Sequence, residues 1–513
     1  MVMMVNMPPT SPPATPDAGP GAPASRSGSP GNQEPESAWP DRRPDLVMFW
    51  VLAGSLLVMF HLALAQLSPH LGYGAPRPAW AILTLVGLEV SAGAVYLAVV
   101  RWGPAVGPER SVLWWIVLLG LILRLIMLGS TPMLAGDYYR SLWDGAVVAH
   151  GFNPYQFAPE TAMTGAAVPE ALRQLAHKSG AVIGHINHPS LPTLYPPVAQ
   201  AGFALAYWLA PWSVTALRLV LLAFDLATLV LGLLLLRALN LPLLAVAIYW
   251  WNPVILKEII NSCHMDVMAL PLVLAAVWLL VRLRPTRAFA ALAGGVGAQI
   301  WPLALMPLTV RAVSRRPKFL GLGLALFVLL VGLLFLPVYT GGREALSGFW
   351  AYGRGWEMND ALFKLFLWGS TLAVKGLKLA PGVAPDFARA LVGVLLAAWV
   401  LWLSWRPVDD ELDLARRGLL ILTALFFLSP IQFPWYFTWL LPFLVLRPRT
   451  SLLLLTALLP LYYLRYFFLA RDRAEIFDYG IVWLEYLPVW ILLLREFLAT
   501  RRPAAPISEA NLS

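Results

Sequence analysis

Apolar residues in this chain come in runs of similar length, parted by short polar or basic stretches. The clearest runs lie at 47–66, 79–100, 111–129, 214–236, 266–283, 319–337, 387–405, 451–468 and 479–495. Each approaches the ~20 residues that a helix needs to cross about 30 Å of hydrocarbon. No stretch alternates with the two-residue period of a lipid-facing strand, so a closed barrel is excluded. The pattern predicts an all-α, polytopic transmembrane helical bundle. Further apolar runs at 195–211, 288–311 and 361–378 bring the expectation to about 11–14 spans, some of them interfacial or re-entrant.

Composition agrees: 59% of the residues are hydrophobic and only 13% charged, which places the chain outside the soluble globular range. The net charge of +9 does not imply a nucleic-acid partner, because Lys and Arg cluster in the short loops as the positive-inside rule expects. The single cysteine, Cys263, rules out an internal disulfide and a cysteine metal cluster. Residues 1–44, rich in Pro, Ser, Gly and Ala, are expected to form a disordered cytoplasmic tail without a cleaved signal peptide. Residues 45–500 then form one membrane domain, and 501–513 a cytoplasmic tail.

Charge sets the expected orientation. With Arg42 and Arg43 in the cytoplasm, the third span ends outside and Asp137 emerges on the extracytoplasmic face. The basic loops at Arg282–Arg287, Arg311–Lys318, Arg406–Arg417 and Arg447–Arg449 should all lie inside. That requires 288–311 to enter and return near Gln299, Trp301 and Pro302; the alternative is one helix that leaves a positive loop outside. Outward loops are expected at about 130–195 and 338–386, carrying amphipathic interfacial helices.

Four polar groups break the apolar pattern. In GDYYRSLWDGAVVAHGFNPY (136–155), a helix beginning at Asp137 puts 137, 140, 141 and 144 on one face, as for an amphipathic helix on the membrane surface. Asp137 is then either an N-cap, with Arg140 and Asp144 a surface pair, or a rim carboxylate able to act as general base. In WWNPVILKEIINSCHMD (250–266), Lys257, Asn261 and His264 share a face if the segment is helical, a set suited to phosphate; an ordinary exposed loop is the plainer reading. His264 and Asp266 lack further ligands at metal spacing, so no cofactor is indicated, and whether a divalent cation assists stays open. YGRGWEMND (352–360) and SPIQFPWYFTW (429–439) put rings beside amides, which suits sugar faces or an interfacial aromatic belt equally. Arg218 and Asp225 read as an internal structural pair. No Gly-rich phosphate loop offers a seat for a nucleotide.

GDYYRSLWDGAVVAHGFNPYQFAPE, INHPSLPTLYPPVAQ (186–200), WNPVILKEIINSCHMD, the W-x-x-N-D-x-L-F element at 356–363 and PWYFTWLLPF (434–443) occur in that order. Together they resemble the bacterial GT-C membrane glycosyltransferases, closest to polyprenyl-phosphate-mannose-dependent mannosyltransferases of the α-mannosyltransferase and family 87 type. The resemblance covers roughly 45–500. It implies an enzyme of the bacterial cytoplasmic membrane that moves a sugar, mannose in the first instance, from a polyprenyl-phosphate donor entering sideways from the bilayer. The acceptor would be a hydroxyl of a lipid-linked or cell-envelope glycan on the extracytoplasmic face. Asp137 stands where those enzymes place the catalytic carboxylate.

Such a donor needs a base for the acceptor hydroxyl and cations for the departing phosphate. The expected roles are Asp137 as base and Lys257 and His264 at the phosphate, with Arg140 and Arg354 in reserve. Asp144, Asn153, Tyr155, His188, Tyr195, Asn252, Glu258, Asn261, Asp266, Trp356, Asn359, Gln432, Trp435 and Tyr436 are expected at the sugar or acceptor. A single inverting displacement is expected, since no second carboxylate is placed as a nucleophile. Gln299 departs from the pattern, because relatives often carry Lys before the helix-breaking Pro. A transporter or flippase of lipid-linked glycans is the rival class, although no internal repeat relates the two halves. An inactive scaffold on the same fold is the third.

Overall fold

The computed structural model describes residues 44–103 and 110–501. The expected N-terminal tail with Arg42 and Arg43, most of the Arg101–Arg110 loop and the C-terminal tail beyond 501 lie outside these residues. Among the described residues helix dominates and no strand occurs; one bridge joins Met358 to Ile431. The chain is therefore an all-α polytopic bundle.

Among the described residues seven helices are long and apolar enough to cross a membrane: Val47–Leu71, Ala79–Trp102, Arg110–Leu128, Val214–Ala238, Pro317–Leu334, Pro381–Trp405 and Thr450–Leu469. An eighth span arises if Leu243–Trp250 and Ile255–Asn261, bent by 58° to each other, count as one. That is fewer than the 11–14 expected, because the remaining apolar runs form shorter or interrupted helices. The run at 266–283 becomes Met265–Val281, and the run at 479–495 becomes a π-turn, Phe477–Ile481, leading into a helix with Pro488 inside it. Close packing relies on small residues. At Gly120 a Cβ would fall 2.1 Å from the Trp250 indole, and at Gly93 it would fall 2.5 Å from the Ala457 backbone.

Two inner polar networks tie the third span to its neighbours. Arg124 pairs with Asp225, donates to the carbonyls of Gly120 (3.0 Å) and Trp250 (2.7 Å), and lies over the Trp250 ring. Tyr249 donates its hydroxyl to Asp225 at 2.6 Å. The expected Arg218–Asp225 pair does not form. Two helical turns, about 10 Å, separate these residues, and each finds a nearer partner on another segment. Arg218 donates instead to the carbonyls of Leu128 (2.9 Å), Ser130 (2.7 Å) and Asn261 (2.5 Å).

The segment 285–313 folds back on itself. Helix Pro285–Ala298 ends at an extended Gln299, and a 3-10 turn, Trp301–Leu305, leads into helix Met306–Val313. Leu283 and Pro285 at its start share one cavity wall with Arg311, Arg315 and Arg316 at its end. The segment thus enters and returns, as its charge requires, and the single-crossing alternative does not hold. Residues 407–411 line the same cavity, and Arg447 donates to the Leu412 carbonyl at 3.3 Å, so four basic stretches gather at one end of the bundle.

The segment 130–195 builds a small folded layer. Helices Tyr138–Ala149, Pro159–Thr164 and Glu170–Lys178 close over a core that includes Trp143, Val147, Leu172, Leu175 and Ile183. The helix after Asp137 does not turn its polar face to water. Its polar face, Arg140, Ser141 and Asp144, is buried, and its Gly145 abuts the Phe203 backbone of helix Pro197–Leu209.

Candidate functional site

A cavity of about 360 Å³ opens at the tip of the 285–313 fold, away from the basic loops. Helix Pro285–Ala298, about 21 Å long, separates the two ends. Asp137, Arg140, His188, Tyr195, His264, Asp266, Trp356, Trp435 and Tyr436 all line it, brought together from segments spread between residues 137 and 436.

Asp137 occupies the cap position of helix Tyr138–Ala149 without capping it, because its carboxylate is turned away from the helix amides. Its Oδ1 accepts from Asn187 Nδ2 at 3.1 Å. Burial pushes its pKa above the ordinary aspartate value; Asn187, His188 and Arg140 oppose the rise by favouring the charged form. Arg140 donates to the carbonyls of His188 (2.9 Å) and Leu191 (3.0 Å). That clamp shapes the loop in which His188 takes a left-handed backbone, φ 53°. Arg140 therefore organises the rim and does not form the surface pair with Asp144.

A second carboxylate faces the same space. Asp266 Oδ1 accepts from Trp439 Nε1 (2.8 Å) and Gln299 Nε2 (3.2 Å). The departure at Gln299 thus has a structural counterpart: a neutral amide positions Asp266 where a lysine would have added charge. Rings make up the opposite wall. The His264 imidazole stacks on Trp435 (3.7 Å, 12°), Phe433 stacks on the other part of that cluster (4.2 Å), and Tyr436 stacks on Trp439 (4.5 Å). His188 tilts over Trp356 at 4.9 Å.

Other expected residues lie outside the cavity. Lys257 is buried, donating to the Met133 carbonyl (3.1 Å), Ser262 (3.0 Å) and Tyr463, with Glu258 at 3.6 Å. Asn261 bridges Ser130 and Thr131 (2.7 Å each). Lys257 and Asn261 both reach Met133, but His264 leaves their face, because the π-helix Ile255–Asn261 ends before it and Cys263 turns the chain with a left-handed backbone, φ 64°. Glu258 accepts from Tyr463 and lies 3.6 Å from His264, behind the wall. Asn252 caps the kink through Val254 N–H (3.0 Å) and reaches Thr456 (3.1 Å).

Asp144 is sealed beneath the rim, where Gln200 donates to it at 3.1 Å, and burial pushes its pKa up. Asn153 donates to the Pro337 carbonyl (2.7 Å), and Tyr155 to that of Tyr195 (2.7 Å). Asn359 donates to Glu485 (2.8 Å), and Gln432 to the carbonyls of Phe427 and Ser429, so both pin the wall from behind. Arg354 is exposed and does not line the cavity.

Asn187, Tyr352, Phe433 and Trp439 belong to the site without having been singled out from sequence. Asn187 sits beside His188 in INHPSLP, and Trp439 four residues beyond Trp435, so adjacency and helical spacing were the available signals. No group of three or more His, Cys, Asp or Glu suited to a metal ion occurs among the described residues. No family model, curated protein or solved structure matches the chain.

Proposed function

We propose that this cavity transfers a glycosyl group, mannose in the first instance, from a polyprenyl-phosphate donor to a hydroxyl of a lipid-linked or cell-envelope glycan. The setting is the extracytoplasmic face of a bacterial cytoplasmic membrane. The observation that carries the reading is Asp137: a carboxylate with a raised pKa, held by one amide, in a ring-walled cavity at the end of the bundle away from the basic loops.

The chemistry balances on residues that line the cavity. Asp137 takes the acceptor's O–H proton as that oxygen bonds to the anomeric carbon. The bond from that carbon to the phosphate oxygen breaks, and polyprenyl phosphate leaves with the electron pair. His264, His188 and the charge of Arg140 are the groups available to the departing phosphate, in place of Lys257 and Arg354. Asp266, bound through Oδ1, keeps Oδ2 for a sugar hydroxyl, and the indoles of Trp356 and Trp435 present flat faces to the ring. With Asp137 as base and Asp266 given to a sugar hydroxyl, this reading has no covalent intermediate, and inversion in one displacement is the expected course.

The test is incubation of the purified protein in lipid with radiolabelled polyprenyl-phosphate mannose and candidate acceptors, followed by separation of the lipid products. Transfer with inverted anomeric configuration supports the reading. Movement of labelled lipid across a vesicle without a new glycosidic bond would support the transporter reading.

A further inference from the structure

At the opposite end of the bundle, three chain reversals meet around a second cavity, of about 340 Å³. One wall carries Arg311, Arg315 and Arg316; another carries Asp409 and Glu411. The two walls do not neutralise each other, since no ion pair within 4.0 Å joins them among the described residues. The nearby acids are already engaged: Asp413 pairs with Arg416 (2.7 Å) and Arg417 (2.6 Å), and Asp410 accepts from the Asp413 amide. Arg417 is spent as well, on the carbonyls of Leu403, Arg406 and Pro407. By contrast, Arg311 keeps its Nε buried with no acceptor.

Leu283 lines this cavity and is 64% exposed. Outside the lining, but close to it in the chain, Phe319 is 51% exposed and Trp405, beside Arg406, 81%. Exposed Trp next to Arg at a helix end marks the headgroup level of a bilayer. The site therefore offers guanidiniums for a phosphate, carboxylates for a cation and an apolar lip for acyl chains, at the depth where a phospholipid headgroup resides.

We propose that this cavity binds the headgroup of an aminophospholipid of the phosphoethanolamine class. The phosphate lies against Arg311, Arg315 and Arg316, the ammonium against Asp409 and Glu411, and the chains pass over Leu283 and Phe319. A basic cluster that only fixed orientation would need no matching acidic wall and no cavity. The assignment does not depend on the sugar chemistry at the other end.

The experiment is native mass spectrometry of the full chain in detergent, titrated with phosphatidylethanolamine, with phosphatidylcholine, and with glycerophosphoethanolamine as the tail-free probe. Phosphatidylethanolamine should be retained in preference to phosphatidylcholine, and the tail-free probe should bind far more weakly. Arg311→Ala and Arg315→Ala should each weaken retention about fivefold. Asp409→Asn with Glu411→Gln should erase the preference for ethanolamine while phosphate-dependent binding survives. Equal retention of the two lipids by the parent, or unchanged retention by well-folded Arg315→Ala, would overturn the proposal. Equal affinity for the tail-free probe would also overturn it, leaving a site for a soluble phosphate. Arg315 is exposed, so its variant decides the matter even if Arg311→Ala fails to fold.

Discussion

At Asp137 one hydrogen bond sets the working range of the base. Asn187 favours the charged carboxylate, so Asn187→Ala should raise the pKa of Asp137 further. Transfer requires the deprotonated form and is therefore lost as pH falls through that pKa. The acid limb should move to higher pH in the variant, with a rate about tenfold lower at neutral pH. A pH–rate profile of kcat/KM checks this; an unmoved limb would detach Asn187 from the base. Lys257 illustrates the limit of reading residues one at a time. Its charge was visible in the sequence, but its direction was set by Met133 and Tyr463, far away in the chain. Lys257→Ala should leave the buried Glu258 without its lysine, with only Tyr463 and His264 beside it, and cost about 3–5 kcal/mol of stability. A thermal melt would show that loss, and donor affinity in any folded fraction should be unchanged.

Elements were legible where a single period governs them. Apolar runs marked the long helices, and basic loops marked the turn-back of 285–313 around Gln299. Where a π-helix and a left-handed turn intervened the period failed, as at Ile255–Asn261 and Cys263, and His264 left the face assumed for it with Lys257 and Asn261. The burial of the polar face after Asp137 was hidden for a different reason: the layer that covers it has a core, around Trp143 and Leu172, built from residues too scattered to read as one unit. The 3-10 element Pro434–Trp439 supplies a test at this scale. Trp439→Phe keeps the ring against Tyr436 and Trp301 but removes the donor to Asp266. If Asp266 holds a sugar hydroxyl, KM for the donor should rise about tenfold with a smaller change in kcat. Loss of kcat alone would place Asp266 in the chemical step.

Over the whole molecule, the basic loops and the ring-walled cavity lie at opposite ends of the bundle, and the proposed sugar chemistry depends on that polarity. Class and polarity were readable from composition and loop charge. The rings Trp356, Trp435 and Tyr436 were readable as candidates but their pairing was not, because His188 meets Trp356 and His264 meets Trp435 only after the bundle closes. Cysteines placed at the exposed Gln156 and Gly355 in a Cys263→Ser background should react with an impermeant thiol reagent in intact cells, and one at Ser314 should not. Reaction at Ser314 with protection at Gln156 would invert the bundle and place Asp137 in the cytoplasm.

The central claim, that Asp137 is the base of a glycosyl transfer, is tested most directly by Asp137→Asn in the reconstituted assay with labelled polyprenyl-phosphate mannose. The amide keeps the shape but cannot take the acceptor's proton, so transfer should fall by a hundredfold or more, about the contribution of a general base, with donor binding retained. Near-parental transfer by the folded variant would contradict the account.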